Sequence, residues 1–217
     1  MINAVVLDAF GTILRIDHPT NPYRELIREG RRQGIASGSE SLGLVMTKNL
    51  AIDEMASFLG IALTPLQREK MSQALELELS SIRPFSDALE AIPRLLDAGL
   101  KVGVCSNLAS PYGPVVRRLF PKLHGYAYSY ELGLMKPNPA IYQAVCAHMG
   151  IEPGHYLDER KGGVVMTGDS KRCDQDGPRS VGIMGLHLDR TGRGSINDLL
   201  QFAELVIDHN LKFSSVS

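Results

Sequence analysis

Tryptophan is absent and tyrosine and phenylalanine are few, so no aromatic platform for stacking nucleic-acid bases stands out. Only three cysteines occur, Cys105, Cys146 and Cys173, and they form neither an even framework nor a CxxC pair. A disulfide scaffold and a thiolate zinc site are excluded on that count. Neither charge sign is in excess: 23 Lys and Arg face 24 Asp and Glu, for a net charge of −1. A protein that neutralises a phosphate backbone needs a basic surplus, so nucleic-acid partners are not expected. No apolar run approaches the roughly 18–20 residues of a membrane span. The start, Met-Ile-Asn-Ala-Val-Val-Leu-Asp, has no basic stretch and meets a charge at Asp8, so no secretory signal is expected. These absences describe a soluble, reduced, cytoplasmic protein with no membrane partner.

What is present is ordinary globular material. The chain has 217 residues, 44% apolar and 22% charged, enough for one or two domains with a sizeable core. Ala4-Val5-Val6-Leu7 is apolar and rich in β-branched side chains, and it ends at Asp8. It reads as a buried parallel strand. Between Asn21 and Ile82 only helical patterns occur: Tyr23 to Gly34, Ser41 to Asn49, Asp53 to Leu59 and Thr64 to Ile82. Gly34, Ser37-Gly38-Ser39 and Gly60 punctuate them, and Thr64 with Pro65 marks a helix start. No strand is expected there.

From Pro84 onward, strands and helices alternate. Asp87 to Leu96 is helical. Lys101 to Cys105 is a second buried strand, ending at Ser106-Asn107. Val115 to Phe120 is a short helix, Tyr126 to Ser129 a strand and Pro139 to Met149 a helix. Gly163 to Thr167 is a strand ending at Gly168-Asp169, and Gly182 to Leu188 is the last. Ser195 is positioned to cap a final helix from Ile196 to Val206, and residues from Phe213 to the end read as a frayed tail. Alternation of this kind predicts an α/β fold on a parallel sheet. The expected division is a Rossmann-like three-layer core, 1–14 and 84–217, with an inserted all-helical domain, 15–83.

In an open α/β sheet, ligands bind outside the carboxyl ends of the strands. Asp8, Ser106-Asn107 and Asp169 all follow such ends, and Asp174 lies close behind. Clustered carboxylates repel unless a cation sits between them, and Mg²⁺ suits all-oxygen ligands. Lys136, in Gly133-Leu-Met-Lys-Pro-Asn-Pro139, is a candidate point charge for the same pocket.

These residues fall into four motifs: Leu7-Asp8-Ala9-Phe10-Gly11-Thr12, Val104-Cys105-Ser106-Asn107, Leu134-Met135-Lys136-Pro137-Asn138-Pro139, and Gly168-Asp169-Ser170 with Asp174. In that order, over essentially the whole chain, they resemble the haloacid dehalogenase-like hydrolase superfamily. The helical insert matches the cap domain of its subfamily I. The resemblance implies a covalent aspartyl mechanism with Asp8 as nucleophile. Ser106 and Lys136 would hold the transferring group or the nucleophile, and Thr12 and Asn107 would support the pocket. Asp174 would orient Lys136 or bind metal through water. A Mg²⁺ ion would be held by Asp8, the Phe10 carbonyl and Asp169.

The signatures are mixed. Phosphatases of the superfamily carry a second Asp two residues after the nucleophile, an acid/base worth about 10²–10⁴-fold in rate. Here that position is Phe10, which resembles the 2-haloacid dehalogenase branch, as do Ser106-Asn107 and Tyr142. Tyr142 is otherwise read as helix packing. Asp169 and Asp174 match the metal-binding pattern of the phosphatases. A Mg²⁺-dependent phosphatase of small phosphate esters is therefore expected. The alternatives are a metal-independent dehalogenase and a catalytically weak phosphate-binding or regulatory protein. The partner is a small, anionic molecule, and both monomer and homodimer remain open. Arg28, Arg31 and Arg32 make a cationic helix face, read as a solvated surface or, more sharply, as an anion clamp.

Overall fold

The protein is described here from a computed structural model covering residues 1–35, 38–154 and 163–214, with no side-chain account of 38, 39, 213 and 214. Five parallel strands form the central sheet: β1 (Ile2–Leu7), β4 (Lys101–Ser106), β5 (Gly125–Tyr128), β6 (Gly163–Gly168) and β7 (Met184–His187). Their order is β5-β4-β1-β6-β7, so β1 is central. It pairs with β4 through Leu7 opposite Val104 and with β6 through Leu7 opposite Thr167. The chain builds one half of the sheet, then returns to build the other. The crevice at that switch lies beside the end of β1, where Asp8 stands.

Alternation of side chains explains why these strands read as unbroken apolar runs. Val5 and Leu7 of β1 enter one core and Ala4 and Val6 the other, so both faces are covered. On the first face pack α5 (Ser86–Asp97), α6 (Tyr112–Leu119) and α10 (Leu199–Ser214). On the second pack α8 (Pro139–His148) and the short α9 (Gly177–Arg179). A further short helix, α7 (Ser129–Leu132), follows β5 directly.

Four helices lie between the first strand and the rest of the sheet: α1 (Pro22–Arg32), α2 (Gly38–Thr47), α3 (Ile52–Phe58) and α4 (Pro65–Ser80). The start of α4 is a capping box. The Thr64 hydroxyl accepts from Gln67 N at 3.3 Å and the Gln67 side chain accepts from Thr64 N at 2.9 Å. Pro65 occupies the first turn, where its missing N–H costs nothing.

Several sequence expectations need correction. Two short strands flank the helical segment, β2 (Leu14–Ile16) and β3 (Ile82–Pro84), paired antiparallel with Leu14 opposite Pro84 and Arg15 opposite Arg83. No strand was expected at Ile82. The final helix starts at Leu199, not Ile196, and its cap is Asp198, whose carboxylate accepts from Gln201 N at 2.8 Å, rather than Ser195. That helix runs through Ser214, into the expected tail, and residues 215–217 lie outside the described residues. The last strand is shorter than expected, Gly182 being a turn residue with φ of 81°. Gly38 and Ser39 begin α2 rather than punctuate, and Ser37 lies outside the described residues.

Candidate active site

Three strand ends, one turn and one loop converge. Asp8 follows β1, Ser106 closes β4, Asp169 follows β6, and Asp174 sits in the π-helical turn Lys171–Asp176 beyond it. Lys136 reaches in from the loop before α8. Its ammonium donates to Asp8 Oδ1 at 2.6 Å, to Asp174 Oδ1 at 2.7 Å and to the Cys105 carbonyl at 2.9 Å. All three of its protons are used, and the side chain is 3% exposed. A buried ammonium survives only with such partners. Burial alone would lower its pKa, but the Asp8 and Asp174 charges outweigh that and raise it, so the lysine stays charged.

Asp174 is fully buried. Burial first, then the Asp8 charge, pushes its carboxyl up to about 6 against the opposing pull of Lys136. Ser170 N donates to its second oxygen at 3.0 Å. Asp169 is the solvent-facing member of the group, and burial of its inner end followed by the Asp8 charge raises its pKa too. Carboxylate oxygens of Asp8, Asp169 and Asp174 all lie within 4.8 Å of one another. Lys136 bonds two of these carboxylates, whereas Asp169 has no ion pair among the described residues and feels Lys136 and His187 only through space. An all-oxygen set with surplus negative charge fits a hard divalent ion such as Mg²⁺.

The turn after Asp8 is built to bring backbone to this cluster. The Ala9 carbonyl accepts from Thr12 N, Ile13 N and Leu14 N, and Gly11 N donates to Leu14 O at 2.9 Å. None of these bonds falls on the Phe10 carbonyl, which stays open as a ligand. Gly11 has φ of 82°, and a Cβ there would lie 2.3 Å from Asp169 Oδ2. Only glycine permits both the turn and the approach of Asp169.

Asn107 acts at one remove from the cluster. Its amide accepts from Lys136 N at 2.7 Å and donates to Lys136 O at 3.0 Å, fixing the lysine backbone. Thr12 is buried, and its hydroxyl has no hydrogen-bond partner among the described residues. Ser106 is buried at its strand end. Tyr142 is fully buried and donates to the Cys173 carbonyl at 2.6 Å, so it supports the turn carrying Asp174.

Arg190 escaped the sequence analysis. Its guanidinium donates to Gly11 O at 3.1 Å and Thr12 O at 2.5 Å, pairs with Asp87 at 3.0 Å and lies 3.8 Å over the Phe85 ring. It ties the Asp8 turn to α5. No local pattern around Asp189-Arg190-Thr191 marks it, because its partners are far away in sequence.

Beside the cluster, a cavity of about 380 Å³ opens between α1, α2, α4 and the sheet edge. Phe10, Tyr23, Met46, Leu108 and Tyr112 line it. The rings of Phe10 and Tyr112 meet edge to face, centroids 5.7 Å apart. Glu78 of α4 is buried at its wall. It accepts from Thr20 N and Asn21 N, both at 2.6 Å, and from the Tyr112 hydroxyl at 2.6 Å. Those donors hold α4, the start of α1 and α6 together.

Fold and site together define a Rossmann-like α/β protein with an acidic pocket at the carboxyl edge of its parallel sheet. The chain belongs to the haloacid dehalogenase-like hydrolase family, whose pattern matches residues 2–182. Among solved structures it is similar to a HAD phosphatase from Thermococcus onnurineus, at 21% identity and a TM-score of 0.62, covering 94% of this chain and 98% of that one. It is also similar to a 2-haloacid dehalogenase from Pseudomonas syringae pv. Tomato, at 14% identity and a TM-score of 0.63, covering 96% and 100%. A third, the L-2-haloacid dehalogenase from Xanthobacter autotrophicus, shows 17% identity and a TM-score of 0.57, covering 95% and 88%. At these identities the likeness concerns the fold. No curated protein matches the chain. Among the described residues, no helix is long and apolar enough to cross a membrane.

Proposed function

We propose that this hydrolase is a Mg²⁺-dependent phosphatase of small phosphate esters, working through a covalent intermediate on Asp8. The observation that carries this reading is the charge imbalance at the sheet edge: three carboxylates within 4.8 Å of one another and one buried lysine. A dehalogenase that needs no metal has no use for the extra carboxylate of Asp169. Asp8, the Phe10 carbonyl and Asp169 would hold the ion, which when bound neutralises charge on the phosphoryl group.

Asp8 attacks phosphorus through the carboxylate oxygen not engaged by Lys136. The ester oxygen leaves with the bonding electrons, and Asp8 carries the phosphoryl group as a mixed anhydride. Water then attacks phosphorus, releasing phosphate and restoring the Asp8 carboxylate. Lys136 keeps Asp8 oriented and ionised, and Asp174 keeps Lys136 in place. Ser106 offers its hydroxyl to the phosphoryl oxygens, Thr12 supports the pocket, and Asn107 positions Lys136. Phe10 has no proton to give, so the leaving group departs unaided or takes a proton from solvent. The helices of 15–83 act as the cap, and the β2–β3 ribbon, where Leu14 meets Pro84, is its attachment to the core of 1–14 and 84–217.

The test is hydrolysis of p-nitrophenyl phosphate. Turnover is expected with Mg²⁺, and its loss is expected with chelator and in Asp8→Asn. Turnover that survives either change contradicts the reading. The apolar cavity behind Phe10 favours one second reading, a 2-haloacid dehalogenase. Halide release from 2-chloropropionate without metal, in the absence of phosphatase activity, would establish it.

A further inference from the structure

The cavity behind Phe10 does not end at its apolar wall. A second cleft of about 270 Å³, lined by Arg24, Ile27, Arg28, Arg31 and Leu42, adjoins it. Arg24 and Leu42 line both. Arg24, Arg28 and Arg31 follow one another at spacings of four and three along α1, so they share a face. Arg28 is paired with Glu25, and Arg32 points its charge to Glu29. Among the described residues, Arg24 and Arg31 have no carboxylate partner. Arg31 in the last turn is explained in part by the helix dipole, but Arg24 in the first turn is placed against it. An unpaired cation at the wrong end of a helix, at the mouth of a cavity, calls for another explanation.

The walls between that cation and Asp8 are aromatic: Phe10, Tyr23 and Tyr112 line the same cavity as Arg24. Phe10, two residues after Asp8, lines the cavity, Arg24 lines both cavity and cleft, and Arg31 lines the cleft.

We propose that the substrate is an aryl phosphate monoester carrying a second anionic group at the far end of its ring, recognised by Arg24 and Arg31. This rests on the phosphatase reading and narrows it. The ring lies between apolar walls edge to face with Phe10 or Tyr112, which suits a flat π-system better than a sugar. An aryl oxide is also the better leaving group where Phe10 supplies no proton. Arg24 is the specificity-determining residue, being shared by cavity and cleft. Arg31 adds to it.

The experiment compares phenyl phosphate bearing a para-propionate with the same ester bearing the neutral propionamide, on wild type, Arg24→Gln and Arg31→Gln. The two esters share size, ring and leaving-group chemistry. Wild type is expected to favour the propionate in kcat/KM by about tenfold, the scale of one charge-assisted hydrogen bond. The ratio is expected to fall to near one in Arg24→Gln and to an intermediate value in Arg31→Gln. Equal kcat/KM for the two esters in wild type, or an unchanged ratio in Arg24→Gln, overturns the proposal. Failure to hydrolyse either ester instead removes the phosphatase reading. The arginines are then judged by calorimetric binding of both esters to Asp8→Asn and to Asp8→Asn/Arg24→Gln. A preference for the propionate that disappears with Arg24 supports the anion site, and equal affinities overturn it.

Discussion

On the phosphatase reading proposed above, Phe10 decides how the reaction must run. The residue two places after Asp8 has a ring where an acid/base would stand, so nothing at that position stabilises a departing alkoxide. Rate should then depend steeply on the acidity of the leaving group. In a series of aryl and alkyl phosphates, kcat is expected to fall by orders of magnitude as the leaving-group pKa rises from that of nitrophenol to that of a simple alcohol. Phe10→Asp is expected to raise the alkyl rates by about 10²-fold and flatten the series, the usual worth of a placed acid. A flat series in wild type would mean that another group donates the proton. At this scale the sequence was informative wherever chemistry follows a strand end. Lys136 bonds Asp8 and Asp174, and Asp169 lies within 4.8 Å of both carboxylates, with Asn107 acting on the Lys136 backbone. Arg190 was invisible, because its contacts with Gly11, Thr12 and Asp87 depend on a fold and not on a motif.

The elements show the same division more sharply. β1, β4 and β6 are covered on both faces, and their apolar runs are the direct record of that burial. β2 and β3 have three residues each and find each other across the whole helical segment. Leu-Arg-Ile and Ile-Arg-Pro carry too short a pattern to distinguish a strand from a turn. Helix ends were legible where capping is local, as at Thr64, and were misread where two acceptors compete. At α10 the acceptors are Asp198 on Gln201 N and Asp87 on Leu199 N, and the second comes from another helix. Arg190 joins these elements, so its loss should be felt in both stability and chemistry. Arg190→Ala removes two hydrogen bonds to the Asp8 turn and a half-buried ion pair. It is expected to lower unfolding free energy by about 1–3 kcal/mol in urea titration. It is also expected to reduce kcat under conditions where the protein stays folded. Unchanged stability and unchanged kcat together would show that the turn holds its shape without the guanidinium.

Across the whole molecule, the two cores around the sheet bury groups that must stay neutral. Burial pushes the thiols of Cys105 and Cys146 up to about 12 from an ordinary value of 9. Buried Tyr23, Tyr112, Tyr128 and Tyr142 are raised as well, chiefly by burial. A raised acid costs nothing while both states are protonated. Above the unfolded-state value, the unfolded chain releases protons that the folded chain retains. Stability should therefore hold up to about pH 9 and decline beyond it, by about 1.4 kcal/mol per pH unit for each such thiol and more once tyrosines join. Urea unfolding at pH 8 and pH 10 under reducing conditions measures this, and equal free energies at the two values would contradict it. The mixed character of the chain is also a property of the whole. An acidic edge that fits a metal stands beside an apolar cavity walled by Phe10 and Asn107, and that cavity shares Arg24 with a cleft lined by arginines. The arginines were visible in the sequence as a helix face, but which of them is free depends on Glu25 and Glu29, and which meets the cavity depends on α2.

A phosphoryl group carried by Asp8 during turnover can be trapped on the chain. The most direct measurement is mass analysis of peptides after acid quench of the enzyme turning over an aryl phosphate with Mg²⁺. One phosphoryl group is expected on the peptide containing Asp8, absent with chelator and absent in Asp8→Asn. Turnover with no adduct, or with the phosphoryl group on another residue, would contradict it.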